Sequence, residues 1–409
     1  MKEELFTKIE SYKNEMIELQ KKITSIPALS PANGGDGELE RAQFLKEWIE
    51  DNIGIEQFIE INAPDDRVPS GIRPNYIFLY SGKNNDRTIW IMTHMDIVPA
   101  GDLSKWSGDP FKAWQKDGKL YGRGVEDNQQ EMVASLFALK ALKEFEIKPE
   151  YRVGIVLVSD EETGSKYGIS YLLDKRADLF KKDDLIIVPD AGSPNGSLIE
   201  VAEKSILWLK FRITGKQTHA STPELGINAN RAASNMIVKL DNLYKIFDKK
   251  DELFEPPIST FEPTKREANV PNVNTIPGED VFYMDCRVLP DYSLSDIKEK
   301  VKQIAEKIEK KFSVKVEISY IQEEEAAPPT PPDSAVVKKL SESVEEVLKV
   351  KTKVIGIGGG TVAAEFRKRG LYAAVWATQE ELAHEPDEYI IIDNMVKDAK
   401  VYANLFTKE

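Results

Sequence analysis

The first apolar positions of the chain, Leu5, Ile9, Tyr12, Met16, Leu19 and Ile23, recur at alternating spacings of four and three. That stripe predicts one amphipathic helix over residues 4–24. Three heptads are few for a coiled coil, so the helix is expected to face a core. A stretch bearing Pro and Gly, 27–37, ends it, and residues 38–53 read as a second helix. Short apolar runs then recur between helical stretches, at 76–80, 88–92, 153–158, 185–188, 354–357 and 373–376. Such alternation predicts an α/β layer fold around a mixed, largely parallel sheet.

The pattern changes in the middle of the chain. Strand-like 207–214 leads to a helix over 229–247, a strand-like 269–287, a helix over 294–312 and a strand-like 314–321. This order predicts an α+β open-faced sandwich, ferredoxin-like, of about 120 residues. A stiff proline segment, 326–332, follows it and reads as a domain boundary. The expected division is therefore a domain made of 1–204 and 323–409, with 205–322 inserted into it. No tandem repeat is visible.

Composition narrows the class. With 409 residues, 41% hydrophobic and 30% charged, the chain reads as a globular protein with two cores. No apolar run reaches the roughly 18 residues that spanning a bilayer needs, so no membrane association is expected. Met1-Lys2-Glu3-Glu4 is charged and is followed by no apolar segment, so no secretory signal is expected. The single cysteine, Cys286, forms no internal disulfide and reads as core filler in a reducing compartment, and the expected location is cytoplasmic. A net charge of −14 argues against nucleic-acid binding and suits divalent cations better.

The chain has three histidines. His94, in Thr-His-Met-Asp, follows a strand, where α/β sheets gather their ligands. Asp96, two residues on, is placed to receive the second ring N–H and fix the tautomer, although a lone histidine there also reads as structural. Asp127 lies in Gly-Arg-Gly-Val-Glu-Asp-Asn before a helix, where it or Asn128 also reads as an N-cap. Glu161 and Glu162, in Ser-Asp-Glu-Glu-Thr-Gly, follow the strand-like 153–158. One of them can hold a metal while the other moves a proton; alone, the pair reads as a solvated acidic turn. Asp160 beside them is expected to be solvated. Asp190 follows the apolar run 185–188, and His384 comes soon after 373–376. Two imidazoles and three or four carboxylates at the ends of four strands form the ligand inventory of a two-metal hydrolytic site. Zinc is the first expectation for such N and O donors, with cobalt or manganese admitted.

The order Thr-His-Met-Asp, Gly-Arg-Gly-Val-Glu-Asp-Asn, Ser-Asp-Glu-Glu-Thr-Gly, Pro-Asp-Ala-Gly, Lys-Gln-Thr-His-Ala-Ser and a late His-Glu-Pro covers nearly the whole chain. It resembles the co-catalytic zinc amidohydrolase family of carboxypeptidase G, aminoacylase, acetylornithine deacetylase, succinyl-diaminopimelate desuccinylase and tripeptidase T. The resemblance implies a zinc-exopeptidase-like catalytic domain with two divalent ions. His94 and Asp190 resemble the ligands of one ion, Glu162 and His384 those of the other, and Asp127 the bridge. Glu161 matches the general base, Asp96 the carboxylate that orients His94, and the Asp127–Asn128 bond one that is cis in the family.

The same resemblance implies that the insertion is a lid through which two subunits pair as a homodimer. His219, read from the residues alone as a surface loop residue, matches a histidine that reaches the partner's site and holds the oxyanion. Asn274 and Arg287 resemble lid residues that contact a substrate carboxylate, whereas Arg287 alone reads as a strand residue in a surface ion pair. Gly360 and Thr361 belong to Gly358-Gly359-Gly360-Thr361, where the family places that carboxylate. Gly358, Gly360 and Ala363 also fit a dinucleotide pattern, but only 46 residues follow Ala363, too few for the remaining units of a nucleotide domain. The continuation Val-Ala-Ala-Glu365-Phe-Arg departs from several members, which leaves the role of Glu365 and the substrate open. The expected reaction is cleavage of the amide of a small N-acyl amino acid, as in desuccinylases and deacetylases. The alternatives are a dipeptidase, tripeptidase or carboxypeptidase, or a metal-dependent binding protein without turnover.

Overall fold

Residues of high strand propensity flanked by glycine, proline and aspartate form the strands of the computed structural model, which describes residues 2–409; Met1, part of the charged terminal segment, lies outside them. An eight-stranded sheet runs in the order Gln57–Pro64, Ile72–Tyr80, Tyr151–Val158, Asn84–His94, Leu185–Val188, Ala373–Val375, Leu198–Glu203 and Lys353–Ile357. Its four central strands, from Tyr151–Val158 to Ala373–Val375, are parallel. Ile72–Tyr80 and Gln57–Pro64 flank them antiparallel on one side, and Leu198–Glu203 is antiparallel on the other.

Helices cover both faces, as a buried parallel centre requires. On one, Gln130–Glu144 is buried on nearly every side among helices Lys2–Ser11, Lys13–Thr24 and Ile392–Thr407. On the other, Ile169, Leu172, Phe180 and Phe366 pack on Trp90, Val156 and Ile186. The N-terminal stripe is buried throughout, but it forms two helices and not one. At the junction the N–H of Tyr12 bonds to the carbonyl of Ile9, so the last turn tightens there without rotating the stripe out of the core. Gln57–Pro64 was not expected from the sequence, because this edge strand buries only Ile61 and Ala63 and so shows little apolar alternation.

The chain divides into two units, one made of residues up to Val201 with Pro329–Val354 and Thr361–Glu409, the other of Ala202–Pro328 with Ile355–Gly360. The second unit thus also takes residues 355–360, which had been expected in the outer domain. It contains an antiparallel sheet ordered Thr260–Arg266, Glu279–Val288, Ser205–Thr214, Lys315–Glu324. Helices Ala229–Leu240 and Leu294–Phe312 pack on one face of it against Leu207, Leu209, Phe211 and Ile213. This is the ferredoxin-like order, with a fourth strand, Thr260–Arg266, that the apolar pattern does not mark because it carries Pro263 and exposed polar residues. Cys286 is buried in this core, where burial pushes its thiol up to about 12.

Candidate metal centre

Strand register brings the first donors together. Asn84–His94 ends on His94, which pairs with Val158 of the parallel neighbour, so the turn that follows Val158 starts beside the imidazole. Leu185–Val188, on the other side, leads directly into Asp190. Asn128 joins the first loop to these ends: its side-chain oxygen accepts from the His94 N–H at 3.3 Å, and its amide donates to the carbonyl of Pro189 at 3.4 Å. The Asp127–Asn128 peptide bond is cis.

His94 is buried, with Nδ1 3.0 Å from the carbonyl oxygen of Asp96. A carbonyl only accepts, so this contact places a proton on Nδ1 and turns Nε2 toward the carboxylates. Nε2 lies 2.9 Å from Asp127 Oδ1 and 3.7 Å from Asp190 Oδ1. The other oxygen of Asp127, Oδ2, lies 3.4 Å from His384 Nε2, which is also 3.1 Å from Glu162 Oε2. One carboxylate therefore faces both imidazoles. The donor atoms of His94, Glu161 and Asp190 lie within 4.8 Å of one another, as do those of His94, Asp127 and Glu162.

Asp96 meets His94 through both its backbone and its side chain. The nearer partner of His94 is its backbone carbonyl, with the carboxylate at 3.6 Å. That carboxylate accepts the backbone N–H groups of Glu161 and Glu162, both at 3.0 Å, and so anchors the turn that presents them. Asp160 is buried, contrary to the solvated role expected for it. At φ 62° it accepts from the hydroxyl of Thr163 and from the Tyr167 N–H at 3.0 Å, and Arg73 lies 3.4 Å away. The turn needed an internal acceptor for its own donors, which periodicity does not reveal.

Clustered carboxylates perturb one another. Burial, then the Asp127 charge, pushes Asp190 up to about 7. Burial and the neighbouring Asp190 raise Glu161 well above the carboxylate range, and burial raises Glu162. Hydrogen bonds to Asp127 and Glu162 lift His384 to about 10. For His94 burial opposes the charge, but Asp127 and Asp96 outweigh it and the net shift is upward. Burial works against the Asp127 charge too, yet bonds from His384 and His94 hold it below the usual range. Protons thus neutralise the cluster, the role a divalent cation takes with the same N and O donors. The donor set fits two such ions.

The remaining predicted residues lie in or next to the second unit. His219 and Asn274 are neighbours there: Thr275 pairs with His219, and the Ala220 N–H donates to the Asn274 carbonyl at 2.8 Å. His219 is exposed, and its Nδ1 accepts from the Ser221 N–H at 3.1 Å, which leaves the proton of the neutral ring on Nε2. Arg287 donates to both oxygens of Asp285 at 2.8 and 3.1 Å and to the Gly358 carbonyl at 2.8 Å. The ion pair read from its sequence context is present. Gly360 closes the stretch 355–360, and Thr361 returns to the first unit, its carbonyl accepting from the Ala364 N–H at 3.2 Å. Glu365 is engaged by Arg369 at 2.9 Å and Ser170 at 3.2 Å. Arg123, Glu126 and Glu388, all buried around the Asp127 and His384 loops, were not singled out from sequence. The signal for the two acids was nearness in sequence, Glu126 next to Asp127 and Glu388 four residues after His384.

Residues 90–408 match the profile of the Peptidase family M20/M25/M40. Among curated proteins, the chain is 44% identical to an uncharacterized metallohydrolase of Methanococcus maripaludis, over 97% of this chain and 100% of that one. It is 27% identical to a succinyl-diaminopimelate desuccinylase of Buchnera aphidicola, over 96% of this chain and 98% of that one. In fold it is similar to the aminopeptidase PepT of Bacillus cereus, with a TM-score of 0.76 at 18% identity over 96% of this chain and 98% of the other. Motif order, donor geometry and these similarities agree: the chain belongs to the Peptidase family M20/M25/M40 and is a metal-dependent hydrolase.

Proposed function

We propose that the chain hydrolyses the amide bond of a small N-acyl amino acid with a free carboxylate, of the succinyl- or acetyl-amino-acid class. His94 and Asp190 would hold one divalent ion and Glu162 and His384 the other, with Asp127 available to both. The observation that carries this reading is the Asp127 carboxylate, with one oxygen 2.9 Å from His94 Nε2 and the other 3.4 Å from His384 Nε2. When bound, the ions, zinc first among them and cobalt or manganese compatible, supply the charge that polarises the amide carbonyl and acidifies water.

Glu161 takes a proton from the attacking water and returns it to the departing amine. Its place beside His94 and Asp190, with donor atoms within 4.8 Å of one another, supports that role. The partner subunit's His219 donates to the developing oxyanion in a homodimer. Asn274, Arg287, Gly360 and Thr361 receive the substrate carboxylate, with Arg287 oriented for it by Asp285. Cys286, single and buried, supports a cytoplasmic location.

Similarity to a desuccinylase over 96% of the chain favours the acyl-amino-acid reading. The family's description as peptidases supports a second one, cleavage of a dipeptide or tripeptide or removal of a C-terminal residue. The test is an assay of N-succinyl and N-acetyl amino acids beside dipeptides and tripeptides, with zinc, cobalt or manganese added. The first reading expects an N-acyl amino acid to give the highest kcat/KM. A dipeptide or tripeptide at the top would establish the second, and no turnover with metal stoichiometrically bound would reject both.

A further inference from the structure

The loops that carry Asp127 and His384 are irregular. Glu381, His384 and Asp387 lie at φ of 62°, 69° and 57°, and Asp127 and Asn128 leave helical geometry within Val125–Gln129. Irregular backbone of this kind has few ladder partners, and its N–H groups take acceptors from elsewhere. Here the two loops supply them to each other. Glu126, beside Asp127, accepts from the N–H groups of Glu380 and Leu382, the latter at 2.6 Å. Glu388, on the His384 side, accepts from those of Gly124 at 3.0 Å, Glu126 at 2.8 Å and Asp127 at 3.3 Å. Arg123 joins both loops, donating to Glu388 at 2.7 Å and to the His384 carbonyl at 3.2 Å.

All three charged side chains are at most 1% exposed. Two buried carboxylates against one guanidinium is a costly arrangement for closing a turn, which solvated backbone achieves without it. Charge-assisted bonds to backbone N–H are short and directional, so their effect is to hold position. The exchange is reciprocal, so displacing either loop breaks bonds made by the other.

We propose that Glu126 and Glu388, joined through Arg123, are positioning residues that set Asp127 against His384 and thereby the affinity for the ion held by Asp127, Glu162 and His384. This rests on the ligand assignment made above. Changing Glu126 or Glu388 to Gln keeps the shape but turns an NH2 group toward a backbone N–H, loosening one loop without removing a ligand.

The test is equilibrium dialysis of metal-free protein against zinc, for the unaltered chain, E126Q and E388Q, with bound ions counted and melting temperatures recorded. The unaltered chain should bind two ions. Each variant should bind its weaker ion ~10–100-fold more weakly than the unaltered chain does, and E388Q, which loosens the Asp127 loop, should weaken the other ion as well, with hydrolysis of the best panel substrate restored by excess zinc. Two ions bound as in the unaltered chain, with only a lowered melting temperature, would overturn the proposal. If the unaltered chain itself binds fewer than two ions, the ligand assignment fails first, and the clamp falls with it. Should E126Q not fold, E388Q decides; if neither folds, the pair belongs to the fold and the positioning role is rejected.

Discussion

Glu161 and Glu162 are adjacent in sequence, and their backbone N–H groups share one anchor, the Asp96 carboxylate. Their side chains nevertheless diverge: Glu162 lies 3.1 Å from His384, while Glu161 groups with His94 and Asp190. A turn of this kind sends consecutive side chains to different partners, so one can serve as ligand and the other as base. Spacing alone left open which was which, and the order came from the family resemblance. Glu161→Gln should retain both ions and lose ~100-fold or more in kcat, the ordinary weight of a general acid–base group. Measuring bound metal beside kcat separates the roles, because a variant that lost an ion would make Glu161 a ligand. Asp96 and Asp160 show the limit of reading at this scale. Both were placed on the right loops, but which donors each would accept depended on how the turn folds back.

At the level of elements, what positions the site is the register between two parallel strands. Tyr151–Val158 and Asn84–His94 align Val158 with His94, so the end of one strand sets the turn of Glu161 against the imidazole at the end of the other. Gly154 lies opposite Trp90 in that register, and a Cβ there would meet the indole at 2.1 Å. Asp184 holds the ring in place, accepting from Trp90 Nε1 at 2.8 Å. Gly154→Ala is therefore expected to destabilise the protein by about 1–3 kcal/mol, as overpacking does. Urea unfolding would show it, and a change within error would mean that the indole yields freely. The central strands and most long helices were legible from apolar runs and periodicity, since burial on both faces leaves that trace. Of the edge strands, Lys315–Glu324 and Lys353–Ile357 were legible from their apolar residues, whereas Gln57–Pro64 and Thr260–Arg266, interrupted by polar residues and proline, were not.

For the whole molecule the excess of acid has a consequence for stability. Asp190 is pushed from 3.8 to about 7, Glu126 and Glu388 from 4.5 to about 7, and His384 from 6.5 to about 10. Each of these groups holds its proton more tightly folded than unfolded. By linkage their contribution is greatest at low pH and is lost as pH rises, through the carboxylates up to about 7 and through His384 up to about 10. Asp127, shifted the other way, gives its contribution up only at strongly acid pH. Metal-free protein should thus melt ~5 °C or more lower at about pH 9 than at about pH 5, and added zinc, which replaces those protons, should raise the melting temperature more at the higher pH. Calorimetry with and without chelator is the check. A metal-free melting temperature that climbed with pH would falsify the assignment of these protons to the buried cluster.

By itself the sequence determined the residue inventory, the helix and strand periods of the buried elements and the order of the motifs. These are local or linear properties, and they sufficed for an α/β fold with a ferredoxin-like insertion and for a metal-dependent hydrolase. Only the tertiary structure decided that Asp127 turns one oxygen to each imidazole and that Asp96 anchors the Glu161–Glu162 turn. It alone brought Glu126 and Glu388 into a reciprocal clamp across 262 positions of sequence. Hydrogen bonds between irregular loops follow no period, and the partners they choose exist only once the chain has closed on itself.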